Sequence, residues 1–304
     1  MGFAADEQRS GGLWTSALRL YSEWVQPPLS VQQLDRYFAR IGYRGPRDAT
    51  LATLRALHRA HLLAIPYENL DIHLGRQITL DPEVTFTKLV DERRGGWCFE
   101  MNGLFGRVLE TLDFDIRYLS GAVGRATSGW RAQGNHLVLL VRLDRPWIAD
   151  VGFGDGFLTP LPLEPGTYSQ GFLEYRVARD GPRWRVHSHE FGGAEGFDFT
   201  LTARTLDQFG MQCRELQTSP ESSFVKATVC ERFVSNGLVM LRGAVLREVR
   251  AGSVTTHTVQ DACEFDRVLR ERFDLAIPGV AALWPSVWAR HLQWQAEQAA
   301  QGLA

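Results

Sequence analysis

The stretch Arg94-Gly95-Gly96-Trp97-Cys98-Phe99-Glu100-Met101-Asn102 places two glycines just before a cysteine and the start of a helical pattern. Apolar residues then recur at three- and four-residue steps, at Met101, Leu104, Phe105, Val108 and Leu112. Cys98 is therefore predicted to lie at a helix N-terminus, where unpaired N–H groups and the helix dipole favour an anion. A thiol in that position is expected to ionise readily, which makes it a candidate nucleophile.

Composition sets limits on the class of protein. The 304 residues carry a net charge of -2 and are 44% apolar, which allows a sizeable core and gives no reason to expect nucleic acid as a partner. The cysteines at 98, 213, 230 and 263 show neither metal-site nor disulfide spacing, so no metal or prosthetic group is expected. Since no membrane span or signal peptide is recognisable, we expect a soluble cytoplasmic protein with no membrane partner.

Helical periodicity dominates the first third of the chain. Helices are predicted after the N-cap residue Ser30, from about Thr50, from near Thr85, and finally from Cys98. A further amphipathic helix is predicted over residues 13–25, where it would pack on the body of the protein or mediate a contact.

Two pairs of closely spaced histidines are expected to be structural. His58 and His61 lie one helical turn apart, but no acidic or thiol residue follows nearby to complete a metal site. We therefore expect them on a helix that is partly surface and partly core. His187 and His189 alternate in a strand-like segment, and both are expected to face solvent.

From residue 117 the hydrophobic pattern changes to one typical of antiparallel strands. Short runs rich in β-branched and aromatic residues cover 118–123, 136–143, 147–151, 175–178, 183–187 and 197–201. After residue 220 the pattern predicts a helix or strand at 224–233, strands at 238–249 and 254–259, a helix at 264–273 and a last helix at 280–301 interrupted by Pro285.

His136 and Asp150 lie on two strands joined by a short turn. In an antiparallel hairpin they fall near the same end, where the carboxylate could accept from the imidazole and fix its tautomer. The other ring nitrogen would then be free to take the proton of Cys98. An Asp before a glycine-rich segment is also a common turn former. Taken together, the three residues point to a thiol acyl-transfer enzyme.

At this point the sequence resembles a known family. Residues 94–102 resemble the R-G-G-x-C-x-E-x-N signature of the arylamine N-acetyltransferases, and residues 65–70 resemble their P-F-E-N-L segment, with Tyr67 in place of Phe. The strand at His136 and the segment 150–154 resemble the family's His strand and D-x-G-F-G strand. Residues 216–224 resemble the segment that opens the third domain, so the likeness covers about residues 31–250.

The resemblance implies an α+β fold with a papain- or transglutaminase-like cysteine-enzyme core. Its parts would be an N-terminal helical domain, a central antiparallel β-barrel domain and a C-terminal α/β lid. On this chain these are expected at residues 31–118, 119–218 and 219–304. The extension 1–30 falls outside the family pattern.

The resemblance also implies a reaction. Acetyl-coenzyme A would donate its acetyl group to an aromatic amine or hydrazine in a ping-pong mechanism. Cys98 would be the acetylated nucleophile, His136 the base and Asp150 the residue that orients it.

The resemblance also implies binding residues. Tyr67, Val123, Phe153 and Phe209 correspond to positions that line the acceptor pocket, and core packing alone could explain each of them. Thr218 and Ser223 correspond to positions expected to contact coenzyme A. In this region Cys213 and Glu215 replace the usual Asn and aromatic residue. The sequence leaves open a monomer or a homodimer.

Three alternatives share these residues. One is an amide synthase of the same fold that closes a macrolactam, and another is a papain-like hydrolase in which water replaces the amine. The third is a non-catalytic interaction module in which Cys98 is an inert core residue.

Overall fold

The computed structural model describes residues 27–300, and it confirms the predicted α+β class. The helices are α1 (Val31–Ile41), α2 (Leu51–Ala64), α3 (Leu70–His73), α4 (Pro82–Phe86), α5 (Cys98–Thr111), α6 (Arg125–Ser128), α7 (Gly210–Thr218), α8 (Ser223–Lys226), α9 (Ala262–Phe273) and α10 (Trp284–Ala300). The helix predicted over residues 13–25 lies outside the described residues. Within the described part, no helix is long and apolar enough to cross a membrane.

Two antiparallel sheets follow the first helices. Their strands are β1 (Tyr67–Glu68), β2 (Asp115–Val123), β3 (His136–Arg142), β4 (Pro146–Ala149), β5 (Leu161–Pro162), β6 (Gly166–Gln170), β7 (Leu173–Asp180), β8 (Arg183–His187), β9 (Gly196–Arg204), β10 (Val229–Val234), β11 (Gly237–Arg242), β12 (Val245–Arg250) and β13 (Ser253–Thr258). The predicted strands up to residue 201 correspond to β2, β3, β4, β7, β8 and β9. Strands β1, β5 and β6 were not predicted, and the run predicted at 238–249 is two strands, β11 and β12. The ambiguous segment 224–233 covers most of both α8 and β10.

The first two helix starts are confirmed by their capping hydrogen bonds. The hydroxyl of Ser30 accepts from the backbone N–H of Gln33 at 3.2 Å, and the Gln33 side chain accepts from the Ser30 N–H at 2.9 Å. Thr50 accepts from the N–H of Thr53 at 3.3 Å. Each cap satisfies a donor that a free helix end would leave unpaired.

Two other helix predictions were wrong. Helix α4 begins at Pro82 and not near Thr85, because the Asp81 carboxylate accepts from the N–H of Glu83 at 2.8 Å and caps the helix earlier. The last helix is not interrupted at Pro285, since this proline is the second residue of α10. A proline there removes only an N–H that has no partner within the helix.

The larger sheet is antiparallel and barrel-like, with strand order β5-β4-β3-β2-β9-β8-β7-β6. Strands β3 and β4 form the predicted hairpin, with Leu139 opposite Ala149. Strand β3 is buried except at Arg142, because β2 and β4 flank it and α5 packs against it. Position 136 is therefore fixed at the buried start of a central strand.

The smaller sheet, β1-β10-β11-β12-β13, joins distant parts of the chain. Asn69 follows β1 and accepts from the N–H of Val229 at 2.7 Å. Its amide also donates to the carbonyl oxygens of Phe224 at 2.9 Å and Ala227 at 2.8 Å. These bonds tie the segment after α2 to the C-terminal sheet. The division into three domains stays a prediction.

The environments of three histidines differ from the prediction. His189 is 5% exposed, and its Nε2–H donates to the carbonyl of Asp155 at 2.9 Å, so it does not face solvent. The reason is that β8 ends at His187 and the chain then turns inward. His58 and His61 are both fully buried, so the helix presents neither to the surface.

A buried network of charged side chains supports the segment before Cys98. Arg94 donates to Glu68 at 2.7 Å and to Asp71 at 2.9 Å, and Lys88 bridges Asp71 and Glu100 at 2.8 Å each. All five residues are at most 8% exposed. Because each charge is paired, its desolvation is offset only while the whole network is intact.

Replacing Arg94 by Ala is expected to lower the free energy of unfolding by about 3–5 kcal/mol, because Glu68 and Asp71 would be left buried with too little positive charge. Urea denaturation measures this loss. The matched control is Arg267→Ala, which removes a guanidinium that is 55% exposed and should cost less than about 1 kcal/mol. Equal losses for the two variants would contradict this interpretation.

Candidate active site

Cys98 is the first residue of α5, as the sequence predicted. Its thiol lies against the start of β3, where the Sγ–H donates to the carbonyl of Asn135 at 3.9 Å. The glycines before it permit close approach: a Cβ on Gly95 would overlap the carbonyl oxygen of Pro66. The nucleophile candidate is 2% exposed and lies against Asn135, the residue that precedes His136 in the chain.

His136 and Asp150 form a short hydrogen bond of 2.6 Å between Nε2 and Oδ2. Because a carboxylate only accepts, the proton is on Nε2, and Nδ1 is left as the free basic nitrogen. The imidazole is held between two aromatic rings, with ring centroids 5.3 Å from Phe153 and 4.9 Å from Phe197. Both members of the pair are at most 3% exposed.

Asn102 connects the cysteine helix to this pair. Its amide nitrogen donates to Asp150 Oδ1 at 2.7 Å and to the carbonyl of Leu137 at 2.6 Å. Its oxygen accepts from the N–H of Val151 at 2.9 Å. The sequence predicts no role for Asn102, although it is one helical turn after Cys98 and therefore on the same face.

His58 positions Asp150 from the opposite side. Its Nε2 accepts from the backbone N–H of Asp150 at 3.0 Å, while its Nδ1–H donates to the carbonyl of Leu158 at 3.1 Å. This pattern requires a neutral ring, and burial lowers the pKa of His58 to about 4. Nothing in the sequence links residues 92 positions apart, so this role could not be foreseen.

Burial raises the pKa of the Cys98 thiol, and the charge of Asp150 raises it further. The backbone N–H groups of Leu137 and Phe99 act in the opposite direction but do not compensate. The helix N-terminus therefore does not by itself offset the burial of this thiol. A thiolate here needs a positive charge nearby, which a proton on His136 would supply.

The residues predicted to line an acceptor pocket are distributed around this centre. Phe153 contacts the His136 ring, and Val123 donates its N–H to the side chain of Asn135 at 2.8 Å. Phe209 is 2% exposed and packs on Phe99, the residue after the cysteine, at 5.8 Å between ring centroids.

Tyr67 lies in β1, beside the segment that carries Cys98. It is 8% exposed and pairs with Gly96 in a parallel bridge. Burial raises the pKa of Tyr67, and the charge of Cys98 raises it further.

Thr218 and Ser223 lie on the surface, at the end of α7 and the start of α8. Helix α8 reaches the site through Phe224, whose ring packs on Trp97 at 5.2 Å between centroids. Within residues 27–300, no three His, Cys, Asp or Glu side chains are grouped as a metal site would require.

Known proteins share this sequence and fold. A family model described as N-acetyltransferase matches residues 50–281. The arylamine N-acetyltransferase of Escherichia coli K12 is 35% identical over 252 residues, covering 80% of this chain and 89% of that protein.

Solved structures agree with these matches. The arylamine N-acetyltransferase from Salmonella typhimurium has a TM-score of 0.78 at 30% identity, covering 86% of this chain and 99% of its own. The Mycobacterium marinum enzyme in complex with CoA has a TM-score of 0.75 at 31% identity, covering 84% and 99%.

By class, then, the protein is an N-acetyltransferase. The matched length and identity place it more narrowly, and the chain belongs to the arylamine N-acetyltransferase family. This confirms the resemblance first seen in residues 94–102.

The neutral state of His58 predicts a pH-dependent stability. Because the folded pKa is lowered to about 4 from the ordinary 6.5, the unfolded chain binds the proton first, and stability falls as pH drops from about 6.5 to about 4. The loss should reach about 3 kcal/mol. In His58→Gln, whose amide can keep both hydrogen bonds, this part of the pH dependence should disappear.

Urea denaturation across pH 4–7 measures the difference between the two proteins. The control is His257→Gln, which replaces a histidine that is 54% exposed and paired only with Glu264 on the surface, so it should change stability in this range by less than about 1 kcal/mol. Parallel pH profiles for wild type and His58→Gln would contradict the proposed neutral state.

Proposed function

We propose that this protein transfers an acetyl group from acetyl-coenzyme A to the nitrogen of an arylamine or arylhydrazine through an acetyl-Cys98 intermediate. The observation that supports it most directly is the 2.6 Å His136–Asp150 bond at the start of the strand against which the Cys98 thiol lies. Family membership supports the acetyl transfer, and the similarity to a CoA-bound enzyme supports the donor.

In the first half-reaction, His136 Nδ1 takes the proton of the Cys98 thiol, and the thiolate attacks the thioester carbonyl carbon. The carbon–sulfur bond to coenzyme A breaks, and its thiolate leaves with the proton held by His136. The imidazolium stabilises the Cys98 thiolate, which burial alone disfavours. The first N–H groups of α5, beginning with that of Cys98, are candidate donors to the developing oxyanion.

In the second half-reaction, the neutral amine attacks the acetyl carbon on Cys98, and His136 accepts the proton that the nitrogen loses. The bond between the acetyl carbon and Sγ then breaks, which releases the amide and regenerates the cysteine. Asp150 acts throughout by holding Nε2–H, so that Nδ1 faces the reacting atoms.

The binding roles follow from the same arrangement. Phe153 and Tyr67 flank the triad and offer flat surfaces suited to an aromatic ring, with Val123 and Phe209 completing the acceptor wall. Thr218 and Ser223 would contact coenzyme A, because their exposed hydroxyls lie near α8, which packs next to Trp97.

The direct test is to mix the protein with acetyl-coenzyme A without an acceptor. One acetyl group should appear on Cys98, one equivalent of free coenzyme A should be released, and added aniline should remove the acetyl group. Cys98→Ser should form no thioester adduct. An adduct on another cysteine, or release of acetate in place of the anilide, would contradict the proposal.

Changing Asp150 to Asn is expected to lower the rate of acetylation of Cys98 by about 10³–10⁴-fold, because the amide presents its N–H to Nε2 and favours the wrong tautomer of His136. Stopped-flow release of coenzyme A measures the rate. Asp144→Asn is the matched control in the same hairpin, where the side chain is exposed and the rate should not change. A loss of less than about tenfold for Asp150→Asn would contradict the assigned role.

A further inference from the structure

The side chain of Asn102 is fully buried where α5, β3 and the loop after β4 meet. Both of its N–H groups are used, on Asp150 Oδ1 at 2.7 Å and on the carbonyl of Leu137 at 2.6 Å. Its oxygen accepts from the N–H of Val151 at 2.9 Å. A flipped amide would place its oxygen against two acceptors and its nitrogen against a donor, so only one orientation is possible.

Asp150 is a buried carboxylate whose charge depends on neutral donors. It is 1% exposed, and among residues 27–300 its ion-pair partner is His136, which binds Oδ2. Oδ1 accepts instead from Asn102 and from the N–H of Gly152 at 2.9 Å. A carboxylate out of water keeps its charge only where hydrogen bonds replace the lost hydration. Because Gly152 belongs to the same loop as Asp150, Asn102 is the donor that fixes the carboxylate relative to α5.

The same side chain links this carboxylate to the nucleophile. Asn102 lies four residues after Cys98, so both side chains lie on one face of α5. The thiol contacts the carbonyl of Asn135, and Asn102 binds the carbonyl two residues further along β3. Gly152 fills the space between them, since an added Cβ would lie 2.7 Å from Cys98 Cα and 2.8 Å from Asn102 Nδ2. The arrangement leaves no room for a second position of the loop.

The titratable groups around Asp150 come from four elements. His136 on β3 and His58 on α2 bind it directly, and His58 is held neutral by burial, which lowers its pKa to about 4. Burial raises the pKa of Cys98 on α5 and of Tyr67 on β1, and the charge of Asp150 adds to both effects. Of these groups, only His136 and Cys98 exchange a proton in the proposed reaction.

We infer that Asn102 is a positioning residue that directs the Asp150 carboxylate at His136 and thereby sets how readily Cys98 gives up its proton. This inference rests on the proposed function. When His136 Nδ1 takes the proton of the thiol, Oδ2 balances the imidazolium, and the Asn102 N–H stabilises the charge on Oδ1. Without this donor the carboxylate can turn or take a proton itself, and either change weakens its bond to Nε2–H.

The experiment compares the wild type with Asn102→Ala in two measurements. The maximal rate of Cys98 acetylation, followed by release of coenzyme A, should fall about 10- to 100-fold. The midpoint of iodoacetamide alkylation of Cys98 against pH should rise by about one pH unit or more. The concentration of acetyl-coenzyme A at half the maximal rate should stay within about twofold, because a fully buried side chain does not contact the donor. A wild-type rate and midpoint in this variant would overturn the inference.

The matched control is Gln170→Ala, which removes a structural amide far along the chain from the triad. Gln170 accepts from the N–H of Thr159 at 2.8 Å and donates to its carbonyl at 2.7 Å. Its loss should lower stability and leave the midpoint of Cys98 alkylation unchanged. If both variants shift the midpoint equally, Asn102 has only a structural role and the inference is overturned.

Asn102→Asp provides a second test that does not depend on the folding of Asn102→Ala. This variant keeps the size of the side chain, and its carboxyl group can donate to Oδ1 only while it is protonated. The acetylation rate relative to the wild type should therefore be highest at low pH and should fall as the new carboxyl ionises between about pH 5 and 9. A ratio that does not change with pH would overturn the inference.

The two proposals fail in different ways, because alkylation requires no acetyl donor. If acetyl-coenzyme A does not acetylate the wild type, the proposed function is wrong, whatever the alkylation shows. If the wild type is acetylated and Asn102→Ala matches it in rate and midpoint, the function stands and the assignment of Asn102 is overturned.

Discussion

The carboxylate of Asp150 is the point at which the separate elements of this fold meet. One oxygen binds His136 Nε2, and the other accepts from the amide of Asn102 and from the backbone N–H of Gly152. The backbone N–H of Asp150 donates to Nε2 of His58 on α2. Because helix, hairpin and loop all converge on one buried group, the position of the His136 ring relative to the Cys98 helix is fixed by hydrogen bonds from every side. A small change in any of these partners would change the direction of Nδ1.

The buried network of charged side chains positions Cys98, as Asp150 positions His136. Arg94 and Lys88 hold the segment before the cysteine, and Glu100 accepts from the N–H of Trp97 at 3.3 Å, directly before α5. Such pairs add little net stability, because burial costs nearly as much as the pairing returns. What they provide is a defined geometry. This rigid, buried geometry has an electrostatic cost. Because the Cys98 thiol is kept away from water, it ionises only with a partner of opposite charge.

Features encoded locally were predictable from the sequence, and features that depend on tertiary contacts were not. The cap at Ser30, the helix start near Thr50, the β3–β4 hairpin and the helix from Cys98 follow from neighbouring residues, so the pattern was sufficient. The contact of His58 with Asp150 joins segments that are distant in the chain, so no sequence pattern indicates it. The helix end at Cys98 was visible in the sequence, whereas the burial that raises the pKa of its thiol was not.

The central claim is that His136, oriented by Asp150, supplies the charge that ionises Cys98. The pH dependence of iodoacetamide alkylation, resolved by peptide mass spectrometry, tests it directly, with the exposed Cys263 as an internal reference. In the wild type, Cys98 should react with an apparent pKa well below the ordinary thiol value of about 8.5, and in His136→Gln that reactivity should be lost while Cys263 is unchanged. A wild-type Cys98 that titrates at or above the Cys263 value would contradict the account.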